Sequence, residues 1–227
     1  MTQKKAIVLL SGGLDSTTTL AIVKSQNYIP YCLSFQYAQR HSVELDFAKK
    51  IAKRENCVHK IINIDLRAFG KSALTDEIEV PKGIPIEKIG LEIPITYVPA
   101  RNTIFLSYAL AYAEVIDASN IFIGANIIDY SGYPDCRPEF INAFENMANL
   151  ATKKAVQGEK MTIHTPLIKM DKLSIIKKGM ELGVNYANTL SCYDPDDNGH
   201  ACGKCEACTL RLDAFERLNM KDPAKYI

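Results

Sequence analysis

The chain has 227 residues, 47% of them hydrophobic, which suits one sizeable domain or a main domain with a small appendage. Its 27 Lys and Arg nearly balance 26 Asp and Glu, so no electrostatic footprint for a nucleic-acid partner is present. The start MTQKKAIVLLSGG lacks a small-residue cleavage site, and no run approaches the ~20 apolar residues of a membrane span; a cytoplasmic protein with no membrane attachment is expected.

The first element is KAIVLL at 5–10, an Ile- and Val-rich run that stops at Gly12-Gly13 and reads as a buried strand. A helix is predicted over 16–24, a second strand over 29–37, an amphipathic helix over 42–56 and a third strand over 59–66. Strands alternating with helices predict an α/β fold, a doubly wound and mostly parallel sheet with right-handed crossovers. Between 71 and 94, three prolines and two glycines break the pattern into a long loop, of the kind used as a lid or mobile segment. An apolar helix over 103–117, a strand over 120–126 and a helix over 138–153 follow. The segment MTIHTPLI precedes an amphipathic helix ended by Gly183, and a last helix is expected from 206 to 218. The chain is expected to divide into an α/β domain over 1–185 and a cysteine-rich helical subdomain over 186–227.

After the first strand comes SGGLDS. A glycine pair at a strand end turns backbone N–H groups toward a ligand, and the following helix adds its own unpaired N–H groups and positive end. Leu10, Ser11, Gly12, Gly13, Leu14, Asp15, Ser16 and Thr17 are therefore the candidate anion-binding set, with the three hydroxyls as extra donors. The pattern is neither G-x-x-x-x-G-K-[ST] nor G-x-G-x-x-G, so neither common nucleotide fingerprint applies. Asp15 is a candidate for organising Mg²⁺, directly or through water, and equally for capping the helix.

Seven cysteines are present, and four of them, Cys192, Cys202, Cys205 and Cys208, crowd the C-terminal end. An odd count so distributed argues for a metal site rather than a disulfide scaffold. Four soft thiolates, arranged with two C-x-x-C turns, match a closed structural zinc site. The C-x-x-C-x-x-C spacing also resembles the start of an iron–sulfur run, but TLRL follows Cys208 in place of the usual continuation, so zinc is favoured. His200 lies in a polar loop and is left out of the ligand set.

VPARN at 98–102 opens a helix, where Arg101 could fork onto a phosphate or carboxylate and Asn102 could cap the helix. GANIIDYSGYPDCRPEF at 124–140 places Asp129, Tyr130, Ser131, Tyr133, Asp135 and Arg137 beyond a strand end. In a parallel α/β sheet this loop and SGGLDS would share one crevice. Tyr and Asp suit a purine-like ring by stacking and by accepting N–H bonds, although Gly, Pro and Asp also make ordinary turns.

SGGLDS at a first strand end resembles the pyrophosphate loop of the N-type ATP pyrophosphatases, the PP-loop superfamily with its adenine nucleotide α-hydrolase-like fold. Taken with VPARN, YSGYPDCR, HTPL and CGKCEAC in this order, the sequence from residue 7 to about 218 resembles the 7-cyano-7-deazaguanine synthase (QueC) family. That resemblance implies ATP-driven conversion of 7-carboxy-7-deazaguanine and ammonium to a nitrile, in queuosine biosynthesis, by a homodimer. It implies that 11–16 hold pyrophosphate, with Ser11, Asp15, Ser16 and Arg101 as catalytic candidates and 129–137 on the deazapurine. ATP, Mg²⁺ and structural Zn²⁺ are the implied cofactors. The alternative is a tRNA thiolase or lysidine synthetase of the same superfamily, which would call for a basic tRNA-binding surface that the near-neutral composition does not favour.

Overall fold

The computed structural model of the chain describes residues 3–37, 43–128 and 132–227. Five strands, β1 (Lys5–Leu9), β2 (Ile29–Gln36), β3 (Val58–Asn63), β4 (Asn120–Phe122) and β5 (Thr162–His164), form one sheet in the order β3-β2-β1-β4-β5. Every pairing is parallel. The helices are α1 (Leu14–Ser25), α2 (Val43–Arg54), α3 (Arg101–Val115), α4 (Pro138–Ala151), α5 (Lys153–Val156), α6 (Lys172–Glu181) and α7 (Glu206–Arg217). The α/β architecture is the expected one, and the MTIHTPLI segment supplies edge strand β5. Among the described residues, no helix is long and apolar enough to cross a membrane.

Alternation along β1 builds the two faces. Ile7 and Leu9 join Leu33 and Phe35 of β2 beneath Leu106, Ala109 and Leu110 of α3 and Ile141 and Phe144 of α4. Ala6, Val8 and Leu10 face the other way, onto Leu20 and Val23 of α1 and Ala48, Ile51 and Ala52 of α2. Both faces are covered, as parallel sheets require. The chain winds outward from β1 through β2 to β3, then returns to place β4 on the opposite side of β1. The strand order thus reverses between β1 and β4, where an α/β sheet opens its ligand crevice.

The loop at 71–94 is strapped down at several points. Ser72, Ala73, Leu74, Thr75 and Val80 are buried. Lys82 forms an antiparallel bridge with Cys205, the Gly83 N–H donates to the Lys204 carbonyl at 2.9 Å, and Lys82 pairs with Asp194 at 2.8 Å.

Residues after 185 share their packing with those before. Cys192, Ala201, Cys205 and Cys208 belong to the same apolar cluster as Ile7 and Leu33, while Ala214 and Phe215 of α7 pack with Leu14, Ile22 and Ile175. The physical reason is that the C-terminal segment buries its apolar side chains in the main cores and builds none of its own. Both clusters thus include residues from either side of 185.

The C-terminal segment is locked by an ion pair between Arg211 and Asp222, whose side chains are 3% and 1% exposed. Arg211 donates to both Asp222 oxygens at 2.7 and 2.9 Å, to Thr189 Oγ1 at 2.9 Å and to the Tyr186 carbonyl at 2.9 Å. The Tyr226 hydroxyl donates to Asp222 as well, at 2.5 Å. Removing one partner strands the other charge away from water. Asp222→Ala is expected to lower unfolding free energy by about 3–5 kcal/mol, read from urea denaturation.

Candidate nucleotide site and cysteine centre

Glycine is required at two points of the crevice. Gly12 has φ +87°, and a Cβ there would stand 2.7 Å from the Glu44 carbonyl and the Ala48 amide of α2. A Cβ on Gly124, just past β4, would stand 3.1 Å from the Asp15 backbone. The absence of side chains lets the β1 loop, α2 and the β4 exit close on one another.

Within the loop, Ser16 Oγ accepts from the Ser11 N–H at 3.2 Å and donates to the Gly13 carbonyl at 3.2 Å. Ser11 Oγ lies 3.1 Å from Ser16 Oγ and accepts from the Gly13 N–H at 3.3 Å. Thr17 is turned the other way: its buried hydroxyl donates to the Gly13 carbonyl at 2.7 Å, so it braces the helix start rather than facing a ligand. Leu10, Ser11, Gly13, Leu14, Asp15 and Ser16 line a cavity of about 250 Å³, whereas Gly12 and Thr17 shape it from behind.

The positive charge that the loop lacks comes from elsewhere. Lys172, the first residue of α6, donates to both Asp15 oxygens at 2.8 Å and is only 6% exposed. Asp15 retains one lone pair on each oxygen, which suits water-mediated contact with a cation better than direct ligation. Its pairing with Lys172 spans 157 residues, so local spacing could not disclose it. One signal existed: a lysine in the first turn of a helix is placed against the helix dipole.

Across the cavity, VPARN and YPDC are latched together. Asp135 Oδ2 accepts from the Asn102 N–H at 2.8 Å, and Asn102 Nδ2 donates to the Asp135 carbonyl at 2.9 Å. Asp135 thus satisfies the start of α3 from a distance. It lies beneath the cavity wall rather than on it, because the helix N-terminus takes its carboxylate. Arg137 also departs from the expected place: it is exposed at the start of α4 and does not line the cavity. Asp129, Tyr130 and Ser131 lie outside the described residues. Tyr133 does line the cavity, with its hydroxyl 2.9 Å from Thr96 Oγ1.

Arg101 and Asn102 line the same cavity. Burial opposes the Arg101 charge and the neighbouring Asp135 carboxylate favours it, and the guanidinium stays charged. Phe35 and Phe105 stack at 4.0 Å and give the cavity an apolar wall. Glu44 of α2, which no sequence motif marked, also lines it. Burial pushes its carboxyl up to about 7, with Arg101 opposing and Cys205 reinforcing the shift.

The four cysteines converge, with all four Sγ atoms within 4.8 Å of one another. Tetrahedral Zn–S bonds of about 2.3 Å put sulfurs about 3.8 Å apart, so a soft four-coordinate ion fits this set. Backbone N–H groups point at the sulfurs: Cys202 and Asp194 donate to Cys192 Sγ at 3.2 and 3.3 Å, and Cys205 to Cys202 Sγ at 3.3 Å. Hydrogen bonds from Cys192 and Cys208 hold Cys205 below the usual thiol range, and the same sharing pushes Cys192 and Cys208 up. His200 is engaged with Asp196 at 2.9 Å, apart from the cluster.

Comparison with known proteins agrees with this geometry. The family described as "Queuosine biosynthesis protein QueC" matches residues 5–219. The chain belongs to the QueC family. A relative from Citrifermentans bemidjiense named 7-cyano-7-deazaguanine synthase is 59% identical over 225 residues, 99% of this chain and 98% of the relative. One of the same name from Rickettsia africae is 57% identical over 227 residues, 99% of this chain and all of the relative. The solved structure of NMN synthetase from Francisella tularensis superposes with a TM-score of 0.51 at 16% identity, covering 96% of this chain and 78% of the other, a likeness of fold.

For this QueC protein the Glu44 shift carries a sign. A carboxyl that keeps its proton to about 7 when folded, against 4.5 ordinarily, costs stability as pH rises through that interval, because the unfolded chain releases the proton first. Glu44→Gln is therefore expected to raise the unfolding midpoint by about 2–4 °C at pH 8 and to leave it nearly unchanged at pH 5, measured by thermal melts.

Proposed function

We propose that this chain is a 7-cyano-7-deazaguanine synthase, using ATP to convert 7-carboxy-7-deazaguanine and ammonium to the nitrile with release of AMP and pyrophosphate. The observation that carries the reading is one cavity lined by the SGGLDS loop together with Arg101 and Tyr133, in a chain 59% identical to a relative of that name.

The chemistry follows from the groups on each wall. A substrate carboxylate oxygen attacks the α-phosphorus of ATP, and the bond to the β-phosphate breaks. The N–H groups and serine hydroxyls of 11–16 bind the departing pyrophosphate, where its charge is largest. Mg²⁺ would neutralise part of that charge, held near Asp15 through water. Arg101 orients the carboxylate and stays on the acyl oxygen. Ammonia then forms the C–N bond and AMP leaves with the C–O electron pair, while Glu44 is placed to take a proton from ammonium. The amide oxygen attacks a second ATP in the same way, releasing pyrophosphate, and loss of AMP and of both nitrogen protons leaves the cyano group. Each round replaces a poor oxygen leaving group by AMP, which is why one site serves twice.

Residues 129–137 contribute to the deazapurine end; among the described residues of this stretch, Tyr133 and Cys136 line the cavity. Zinc is the ion assigned to Cys192, Cys202, Cys205 and Cys208, in a structural role because all four positions are filled by protein sulfur. A homodimer in the cytoplasm completes the reading. Its support is the apolar side chains of Val115, Leu150 and Val156, each more than three-quarters exposed, near the junction where the Lys153 N–H bonds Glu114.

Incubation with ATP, Mg²⁺, ammonium and 7-carboxy-7-deazaguanine is expected to yield AMP and the nitrile, followed by chromatography and mass spectrometry; AMP formation independent of the carboxylate would overturn the proposal. Arg101→Lys keeps charge but loses the fork, and should raise KM for the carboxylate at least about ten-fold in steady-state assays.

A further inference from the structure

Residues 189–193 belong to no nucleotide motif, yet they form a second wall of the phosphate loop. The Leu190 N–H donates to the Gly12 carbonyl at 3.0 Å. The Leu14 N–H, at the first position of α1, donates to Ser191 Oγ at 3.1 Å. Ser191 lines the cavity beside Ser11, Gly13 and Ser16. Its oxygen occupies the place that an anion's oxygen would take to use that N–H, since helix N-termini bind anions through these donors. A hydroxyl also has a proton to give, and among the described residues the Ser191 proton has no acceptor.

We propose that Ser191 is a ligand of the pyrophosphate leaving group, supplied to the loop by the cysteine segment; this rests on the ATP-cleaving reading above. In this structure its oxygen accepts from the Leu14 N–H. With pyrophosphate bound, a phosphate oxygen takes that N–H and the hydroxyl rotates to donate to the anion. The residue is held for this from both sides. Arg211 donates to Thr189 Oγ1 at 2.9 Å and to its carbonyl at 3.3 Å. On the other side the next residue is Cys192, whose sulfur accepts from Cys202 and Asp194. A metal on the four sulfurs would fix Cys192, and with it the hydroxyl one residue away. Tyr193 then continues the segment along the cavity toward Arg101.

The test is calorimetric titration of the metal-loaded full chain with inorganic pyrophosphate in the presence of Mg²⁺, for wild type, Ser191→Thr and Ser191→Ala. A hydrogen bond to a charged oxygen predicts about ten-fold or greater weakening for Ser191→Ala. Ser191→Thr, which keeps the hydroxyl, should stay within about three-fold of wild type. Metal content per chain should be the same in all three. If Ser191 only caps the Leu14 N–H, Ser191→Ala will melt earlier yet bind pyrophosphate as well as wild type, or better, and the proposal is overturned. Loss of metal from Ser191→Ala would likewise overturn it, by assigning the residue to the cysteine centre. Failure of the wild type itself to bind pyrophosphate would strike the nucleotide reading underneath.

Discussion

The parallel pairing of β1 with β4 is the contact on which the site depends. It is short, running through Ile7 with Ile121 and Val8 with Phe122. These two strands are far apart in the chain, and their pairing puts both C-terminal exits side by side. Gly12 and Gly124 then allow the approach that the pairing demands, Gly12 toward α2 and Gly124 toward Asp15. Bulk at either position would separate the phosphate loop from the wall that faces it. Everything chemical in the molecule, from the serine hydroxyls to Arg101, is arranged around that gap.

A second constraint is electrostatic. The crevice encloses Asp15 with Lys172 and Arg101 with Glu44, and Asp135 lies just below. Charges removed from water need partners or ligands. Asp15 has its partner within hydrogen-bond reach, and Asp135 spends its charge on a helix start. Glu44 is the exception: its carboxyl is held near neutrality by burial although a guanidinium is close. A group in that condition can exchange a proton with little change in its surroundings, which is what amination of an acyl group needs.

The sequence made local features legible and left distant ones hidden. SGGLDS announced itself because an anion loop uses consecutive residues, and the cysteines because a small metal site is built from close spacings. The strand and helix pattern came from side-chain periodicity, which burial on both faces of the sheet enforces. Lys172, Glu44 and Ser191 were silent because each reaches the site across a long stretch of chain, and none belongs to a motif. Asp135 and Arg137 were assigned to the ligand by position alone. The Asp135 carboxylate bonds the start of α3, and Arg137 is exposed at the start of α4. Cysteine-rich spacing suggests a module after 185, and packing adds that Cys192, Cys205 and Cys208 share an apolar cluster with the main core.

The strap through Lys82 and Gly83 onto Lys204 and Cys205 bears on how the protein is made. A ribosome releases SGGLDS and the long loop first, but surfaces that hold both in place are translated more than a hundred residues later. Until Leu190, Ser191 and the cysteines emerge, the loop has no dock and the glycine turn lacks one wall. The growing chain therefore carries an unfinished nucleotide site until residues 189–205 have emerged and docked.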